Sequence, residues 1–255
     1  MKKLLLILLC LPMIGFGQVY IPDANFKAYL VGNTAINTNG DGEIQVSEAN
    51  SFSGTIVCSN LNISDLTGIE SFTVLTVLDC GINQLTSLDV SQNTALTSLS
   101  CYYNQITSLD LSNHTTLTDL ICWGNQLTSL DVSQNTALTK LACNANQLIN
   151  LDLRNGNNTN FQILYSFENP NLFCIDVDDI SWSNTYWGAC NPPCFDTTMS
   201  FSENCSLPSA IQEHTTNKEL LKTTDFLGRE TKGTKNEVLF YIFNDGTVEK
   251  RIIVE

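Results

Sequence analysis

The stretch from Asn37 to Glu48, NTNGDGEIQVSE, has the residue types and spacing to bind a divalent cation. It follows the EF-hand pattern, in which oxygen ligands surround calcium and a glycine makes the central sharp turn. The ligand positions fall on Asn37, Asn39, Asp41, Glu43 and Glu48. Asn37 stands where aspartate is usual, so the loop predicts one weakly held, stabilising calcium ion. A capping turn that binds no metal is the alternative.

The ten cysteines divide into groups with different chemistry. Five recur at one inward-facing position of a repeat, which favours buried free thiols: Cys58, Cys80, Cys101, Cys122 and Cys143. Four more follow the repeat, and in a secreted chain such cysteines form disulfides. These four allow three connectivities. We favour Cys174–Cys205, which would close a cap, together with a local Cys190–Cys194 bridge.

The sequence shows no set of residues that would carry out catalysis. Its two histidines are His114, in a turn position of the repeat, and His214, in a linker. There is no Gly-x-Ser-x-Gly motif, no cysteine–histidine pair within one element and no clustered metal ligands. The chain is therefore not expected to be an enzyme.

The element that positions these residues is a 21-residue repeat. Four regular units begin at Leu75, Leu96, Leu117 and Leu138, a degenerate unit precedes them from Gly54, and a sixth begins near Phe161. The units fit L-x-x-L-x-C-x-x-N-x-L, which resembles a leucine-rich repeat with cysteine in place of the third leucine. The resemblance predicts a mainly β solenoid of about six coils with little helix, which we number one to six.

Three columns of the repeat have predicted roles. One leucine in each first strand points into the core, and asparagines such as Asn104 and Asn125 should hydrogen-bond backbone groups where the chain leaves the strand. Aspartates such as Asp89 and Asp110 alternate with inward residues and should face solvent. A metal ladder along the aspartates is disfavoured, because one carboxylate per coil is a poor chelate.

Aromatic residues interrupt the repeat on the outward side of the first strand, where polar residues are expected. Exposed aromatic clusters are favoured at protein interfaces and at surfaces that stack on sugars. Cross-strand packing that only stiffens the sheet is the alternative. One coil, carrying Asn144, lacks an aromatic in this column. The candidate ligand-binding residues are Tyr102, Tyr103, Ile121, Trp123, Tyr165 and Phe167.

The N-terminus has the layout of a secretory signal peptide, with Lys2 and Lys3 before an apolar run and cleavage expected after Gly17. No other apolar run is long enough for a transmembrane helix. The formal net charge of −14 falls to about −16 once the two leader lysines are removed, which argues against nucleic-acid binding. Only Lys140 and Arg154 are basic between residues 55 and 180, so the acidity is concentrated in the repeats.

The C-terminal end contains DFLGRE followed by LFYIFNDGTVEKRIIVE, in which two β runs, 238–243 and 248–254, flank the hairpin signal Asn-Asp-Gly. This stretch resembles the C-terminal sorting domain of type IX secretion cargo in Bacteroidetes, in a short flavobacterial form. The internalin-like first coil and the IPDANFKAYLVGN opening are similar to secreted leucine-rich repeat proteins of the same bacteria. The resemblance implies export across the outer membrane by the type IX machinery. The residues that carry it are Leu227, Gly228, Arg229, Glu230, Gly246, Thr247, Lys250 and Arg251.

The sequence therefore predicts a secreted or surface-attached module that binds a protein or a glycan. A structural envelope or matrix spacer without a discrete ligand is the alternative function. A small helical N-terminal cap and a small C-terminal β module should flank the repeats. The expected segments are a signal peptide (1–17), an N-terminal cap (18–53), leucine-rich repeats (54–180), a disulfide-containing cap (181–206), a linker (207–217) and a sorting domain (218–255).

Overall fold

A computed structural model describes residues 17–187, 194–196, 199–205, 220–224, 229–231, 238–243 and 248–252. The chain divides into two compact units, Met1–Cys205 and Ser206–Glu255. The signal peptide prediction lies outside the described residues, apart from Gly17. Among the described residues, no helix has the length and hydropathy needed to cross a bilayer.

The first unit is a solenoid whose coils each contribute one three-residue strand to a parallel sheet. The middle residue of each strand is a buried leucine or isoleucine, and its two neighbours are more exposed. These middle residues lie in register along the sheet, so each coil covers the apolar residue of the next. In order, the strands of this first sheet are β1 (Thr55–Val57), β2 (Val77–Asp79), β3 (Ser98–Ser100), β4 (Asp119–Ile121), β6 (Lys140–Ala142) and β8 (Ile163–Tyr165).

The return limbs of the later coils form a second, shorter parallel sheet. It consists of β5 (Ser129–Asp131), β7 (Asn150–Asp152), β9 (Cys174–Asp176) and β10 (Ser200–Ser202). Two 3-10 turns, Ile69–Ser71 and Asn158–Asn160, are the only helical segments within the repeats. The predicted leucine-rich repeat solenoid of about six coils with little helix is confirmed.

The asparagine column hydrogen-bonds backbone groups as predicted, and in the structure these bonds also join neighbouring coils. The Asn125 Oδ1 accepts the Ile106 N–H of the preceding coil at 3.0 Å. Its Nδ2 donates to the Cys101 carbonyl of that coil and the Cys122 carbonyl of its own, each at 3.0 Å. Asn104 and Asn146 make the equivalent bonds. One short amide therefore satisfies backbone groups of two coils that strand pairing leaves free.

The outward aspartates have a local role in turns. The Asp89 Oδ1 accepts the Ser91 N–H at 2.9 Å, and the same bond recurs one coil on between Asp110 and Ser112. Both aspartates are exposed, as predicted. Each carboxylate therefore stabilises the turn that directly follows it in the chain.

The N-terminal cap contains two short helices, α1 (Ala24–Gly32) and α2 (Val46–Ser51). The small helical N-terminal cap expected from the sequence is therefore present. The Asp23 Oδ1 caps α1 by accepting the Asn25 and Phe26 N–H groups. Its Oδ2 accepts hydrogen bonds from the Ser64 N–H and hydroxyl, which joins the cap to coil one.

The C-terminal cap closes the solenoid with a disulfide and a helix. Cys174 and Cys205 are bonded, as favoured from the sequence. Cys194 is also in a disulfide, while Cys190 lies outside the described residues, so their pairing stays a prediction. The sequence missed helix α3 (Ile180–Tyr186), which Asp179 caps through the Trp182 N–H.

The second unit is a three-stranded antiparallel sheet of β11 (Leu220–Thr224), β12 (Val238–Phe243) and β13 (Val248–Ile252). The predicted hairpin strands are present, although the second ends at Ile252 in the described residues. The connecting turn, with Gly246 and Thr247, lies outside them, as do Leu227 and Gly228. Arg229 and Glu230 are exposed, and Lys250 and Arg251 lie on β13.

Candidate functional site

Three of the predicted aromatic residues form one cluster on the outward face of the first sheet. The Tyr102 ring stacks on the Trp123 indole, with centroids 5.2 Å apart and planes 14° apart. The Tyr103 ring meets the same indole edge-on at 4.2 Å. Aromatic pairs in these geometries attract beyond the area they bury. These two ring contacts therefore fix the position of the Trp123 indole.

Two glycines provide the space for these rings. A Cβ on Gly81 would lie 2.4 Å from the Tyr102 Cε1, and one on Gly124 would lie 2.8 Å from the Tyr103 Cδ1. Gly81 occupies the same repeat position as Tyr102 and Trp123. The missing side chain at Gly81 is therefore a structural requirement of the cluster.

In every coil, the residue that follows the repeat position of Gly81, Tyr102 and Trp123 adopts a left-handed backbone conformation. Its φ is +52° at Ile82, +49° at Tyr103 and +57° at Glu168. For a β-branched residue such as isoleucine this conformation is costly. Ile82 and Tyr103 nevertheless keep exposed apolar side chains there. Because the conformation recurs in every coil, it belongs to the turn of the repeat, and at Ile82 and Tyr103 this turn carries an exposed apolar side chain.

A cleft of about 910 Å³ lies beside the cluster, over coil five. Ile121 and Trp123 form one wall, and Tyr165 and Phe167 form the other. The floor carries small side chains, including that of Asn144. Four of the six predicted residues thus line one cavity, while Tyr102 and Tyr103 support its Trp123 wall. The coil without an aromatic residue, which interrupts the column in the sequence, forms the floor of the cleft.

Sequence reasoning missed the end of the cleft, which the C-terminal cap supplies. The Cys194 carbonyl accepts the Ser166 N–H at 2.9 Å, so the cap segment pairs with coil six. The Asp196 carboxylate accepts the N–H groups of Glu168 and Asn169, and Phe195 completes the lining. The cap segment lies outside the repeat register, so no sequence signal places it there.

Acidic side chains outnumber basic ones among the described residues that line the cleft. The Lys140 ammonium lies 2.8 Å from the Asp119 carboxylate, which compensates it. Burial raises the pKa of Asp119, but hydrogen bonds from Lys140 and Thr118 outweigh that effect and lower it overall. Glu168 is exposed at the rim, and Asp196 is half-buried beside it. The uncompensated charge at the cleft is therefore negative.

The EF-hand-like loop is closed by its own hydrogen bonds. The Glu48 carboxylate accepts the N–H groups of Thr38, Asn39 and Gln45 and the Thr38 hydroxyl. The Asn37 Nδ2 donates to the Asp41 carbonyl at 2.7 Å. To act as a bidentate ligand, Glu48 would have to release these donors, so the present arrangement fits calcium poorly. Calcium binding by this loop stays a prediction.

The remaining candidates for chemistry are buried and unreactive. All five cysteines of the repeat column are free, as predicted. Burial raises the pKa of the Cys101 and Cys143 thiols to about 12. His114 is 1% exposed, and its Nε2 donates to the Val90 carbonyl at 3.0 Å. The described residues contain no group of three or more histidine, cysteine or acidic side chains placed to hold a metal.

A family model and one curated relative match the repeats of this chain. A family model described as the leucine-rich repeat domain of the endo-beta-N-acetylglucosaminidase EndoS matches residues 42–179, more than half of the chain. Internalin J of Listeria monocytogenes serotype 4b (strain F2365) is 40% identical over 75 residues, which are 29% of this chain and 8% of that protein. The chain thus spans a small part of that relative.

Two solved structures are also similar to this chain. One is described as the functional domain of InlJ from Listeria monocytogenes, which includes a cysteine ladder. It is 38% identical, with a TM-score of 0.49, over 61% of this chain and 36% of its own. The other is internalin C2 of the same species, 16% identical, with a TM-score of 0.43, over 77% of this chain and 95% of its own.

Proposed function

This chain belongs to the family of the EndoS leucine-rich repeat domain, and on that premise we propose that it is a secreted or surface-displayed recognition module. Its ligand is a protein or a glycan, bound in the cleft over coil five. The observation that supports this function is the cleft itself, whose volume of about 910 Å³ lies within the range of ligand sites. Its walls are aromatic, on a sheet face that a repeat protein otherwise fills with polar residues.

The cleft has the features of a binding site more than those of a stiffened sheet. Stiffening alone requires rings that pack on one another, as Tyr102 and Trp123 do. The rings of Tyr165 and Phe167 lie beyond coil five and contact each other, with centroids 6.3 Å apart. The space between the two groups is open to solvent and mainly apolar. Aromatic side chains around such a space contribute strongly to binding when a ligand excludes the water.

The test uses the Tyr102→Ser, Trp123→Ser double variant against protein and glycan arrays. We expect a ligand of the unmodified chain to be lost while the melting temperature changes little, because both side chains lie outside the leucine core. Tyr186→Ser is the matched control, since Tyr186 is an exposed aromatic residue on α3, outside the cleft. If the unmodified chain finds no ligand in any array, the spacer function is favoured instead.

We also propose that the chain is exported by the type IX secretion machinery. The proposal is supported by the resemblance of about the last 35 residues to sorting domains and by the three-stranded sheet of the second unit. Deletion of residues 218–255 should leave the protein in the periplasm of a flavobacterial host, while the full chain reaches the surface or the medium. Mass spectrometry of the exported protein should find an N-terminus at Gln18. Surface delivery of the truncated chain would refute this export route.

A further inference from the structure

The cleft is wide enough to take a flat group between its two aromatic walls. Tyr102 covers one face of the Trp123 indole from coil three, so the other face is turned toward coil five. The opposite wall, with Phe167, stands two strands away, and adjacent strands are separated by about 4.8 Å. The walls therefore rise from backbones roughly 10 Å apart. A flat group between two surfaces needs about 7 Å, which is two contact distances.

The negative charge of the solenoid unit favours a positively charged group in the cleft. The solenoid unit after the signal peptide contains 18 acidic residues and only three basic ones, Lys27, Lys140 and Arg154. Lys140, the one basic side chain lining the cleft, is compensated by Asp119. Glu168 at the rim has no basic partner among the described residues. A cation over an aromatic ring next to a free carboxylate is favoured, and the surrounding acidic surface attracts it from a distance.

The charged groups of the cleft favour a cationic side chain over a neutral sugar. A sugar ring requires several hydrogen-bonding partners around its edge, because its hydroxyl groups lose water on binding. Here the Asp196 carboxylate is already engaged by two backbone N–H groups, and Lys140 is engaged by Asp119. Of the described polar side-chain groups that line the cleft, the Asn144 amide, the Glu168 carboxylate, the Tyr165 hydroxyl and the Trp123 indole N–H remain, and among these four only the Glu168 carboxylate is charged.

We propose that the cleft binds an arginine side chain presented by a basic segment of a partner protein. The guanidinium plane lies against the open face of Trp123, its alkyl stem contacts the apolar walls, and its charge pairs with Glu168. Arginine fits because its cation is planar and stacks on aromatic rings, whereas the ammonium of lysine is compact and more strongly hydrated. This inference rests on the proposed recognition function and identifies the class of its ligand.

The experiment follows the indole N–H signal of Trp123 in NMR spectra of the full chain, assigned by its loss in Trp123→Phe. The probe is an acetylated and amidated Gly-Gly-Arg-Gly-Gly peptide. A peptide of the same sequence with citrulline, which is neutral and equally planar, is the matched ligand. We expect saturable shifts with the arginine peptide at concentrations on the order of 1 mM, and weaker binding at higher salt. Glu168→Gln should weaken binding about threefold to tenfold, while Glu203→Gln, an exposed carboxylate remote from the cleft, should not.

Several outcomes would overturn the proposal. Equal binding of the citrulline peptide would show that charge is not recognised, and an unchanged affinity in Glu168→Gln would remove its partner. Shifts of the same signal by a neutral oligosaccharide at lower concentration would make the ligand a glycan. If an array ligand depends on Trp123 but the arginine peptide does not bind, the arginine inference fails and the recognition function stands. If no array ligand is found, the recognition function itself fails, and the arginine inference that rests on it fails as well.

Discussion

Asn125→Asp tests whether the asparagine column holds the coils together. The substitution changes the Asn125 side-chain amide to a carboxyl of the same shape. The oxygen that accepts the Ile106 N–H is kept. The two N–H groups donated to the carbonyls of Cys101 and Cys122 are lost, and at neutral pH a negative charge faces those oxygens instead. Asn125 is 8% exposed, so water gives little compensation.

The expected magnitude follows from these contacts. Each lost buried hydrogen bond costs roughly 1–2 kcal/mol, so two cost about 2–4 kcal/mol at pH 7. In a domain of this size that lowers the melting temperature by roughly 4–16 °C. Burial beside two carbonyls raises the pKa of the introduced carboxyl in the folded state. The destabilisation should therefore be smaller below about pH 4, where the carboxyl is protonated in both states and its O–H replaces one of the two lost donors, and should grow as the pH rises.

The assay is thermal unfolding followed by circular dichroism between pH 3 and pH 8, always relative to the unmodified chain. Asn144→Asp is the matched control, because the same change is made one coil away on the partly exposed floor of the cleft. It should shift the melting temperature by no more than about 1–2 °C. Equal effects of the two substitutions at pH 7, or a loss in Asn125→Asp that does not vary with pH, would refute the structural role of the column.

Three further predictions concern the cluster, the cap and the thiols. Gly81→Ala should displace the Tyr102 ring from Trp123, because the new Cβ would lie 2.4 Å from that ring, and should weaken ligand binding several-fold in the array assay. Glu48→Gln should lower the melting temperature at pH 7. One carboxylate oxygen becomes an NH2 group, which would place a donor opposite the Gln45 N–H and break that hydrogen bond. Burial raises the pKa of Glu48, but four hydrogen bonds outweigh that effect and lower it, so the stability that its ionised form gives the unmodified chain should be lost as the pH falls below about 4. The column cysteines should resist a thiol reagent in the native state and react on unfolding, as measured by absorbance.

Controls make each of these outcomes decisive. Gly32→Ala, where a Cβ meets nothing within 4 Å, should leave binding unchanged. For the cap, a rise in melting temperature with calcium that Glu48→Gln abolishes would establish the predicted ion. An acid dependence that survives Glu48→Gln unchanged would contradict the role of the carboxylate. Fast labelling of native thiols would contradict their burial.

Features that repeat along the chain were predictable from the sequence. The leucine, cysteine and asparagine columns, with Asn125 as one member, follow from a period that each coil must satisfy against its neighbours. The small helical N-terminal cap was also predicted, because a helix start can be read from local sequence signals. The Cys174–Cys205 bond belonged to one of three possible connectivities. Helix α3 and the position of Phe195 were missed, because neither belongs to the repeat.

The sequence by itself determined the solenoid and the aromatic residues on its outward face, because a strict period assigns every position to the core or to solvent. Only the tertiary structure decided what those residues form. The stacking of Tyr102 over Gly81 and the small side chain of Asn144 between two aromatic walls depend on distances between coils. The cap residue Asp196 closes the cleft through hydrogen bonds to coil six that no repeat encodes. Contacts between residues far apart in sequence turned an interrupted aromatic column into a cleft, since side-chain packing depends on proximity in space.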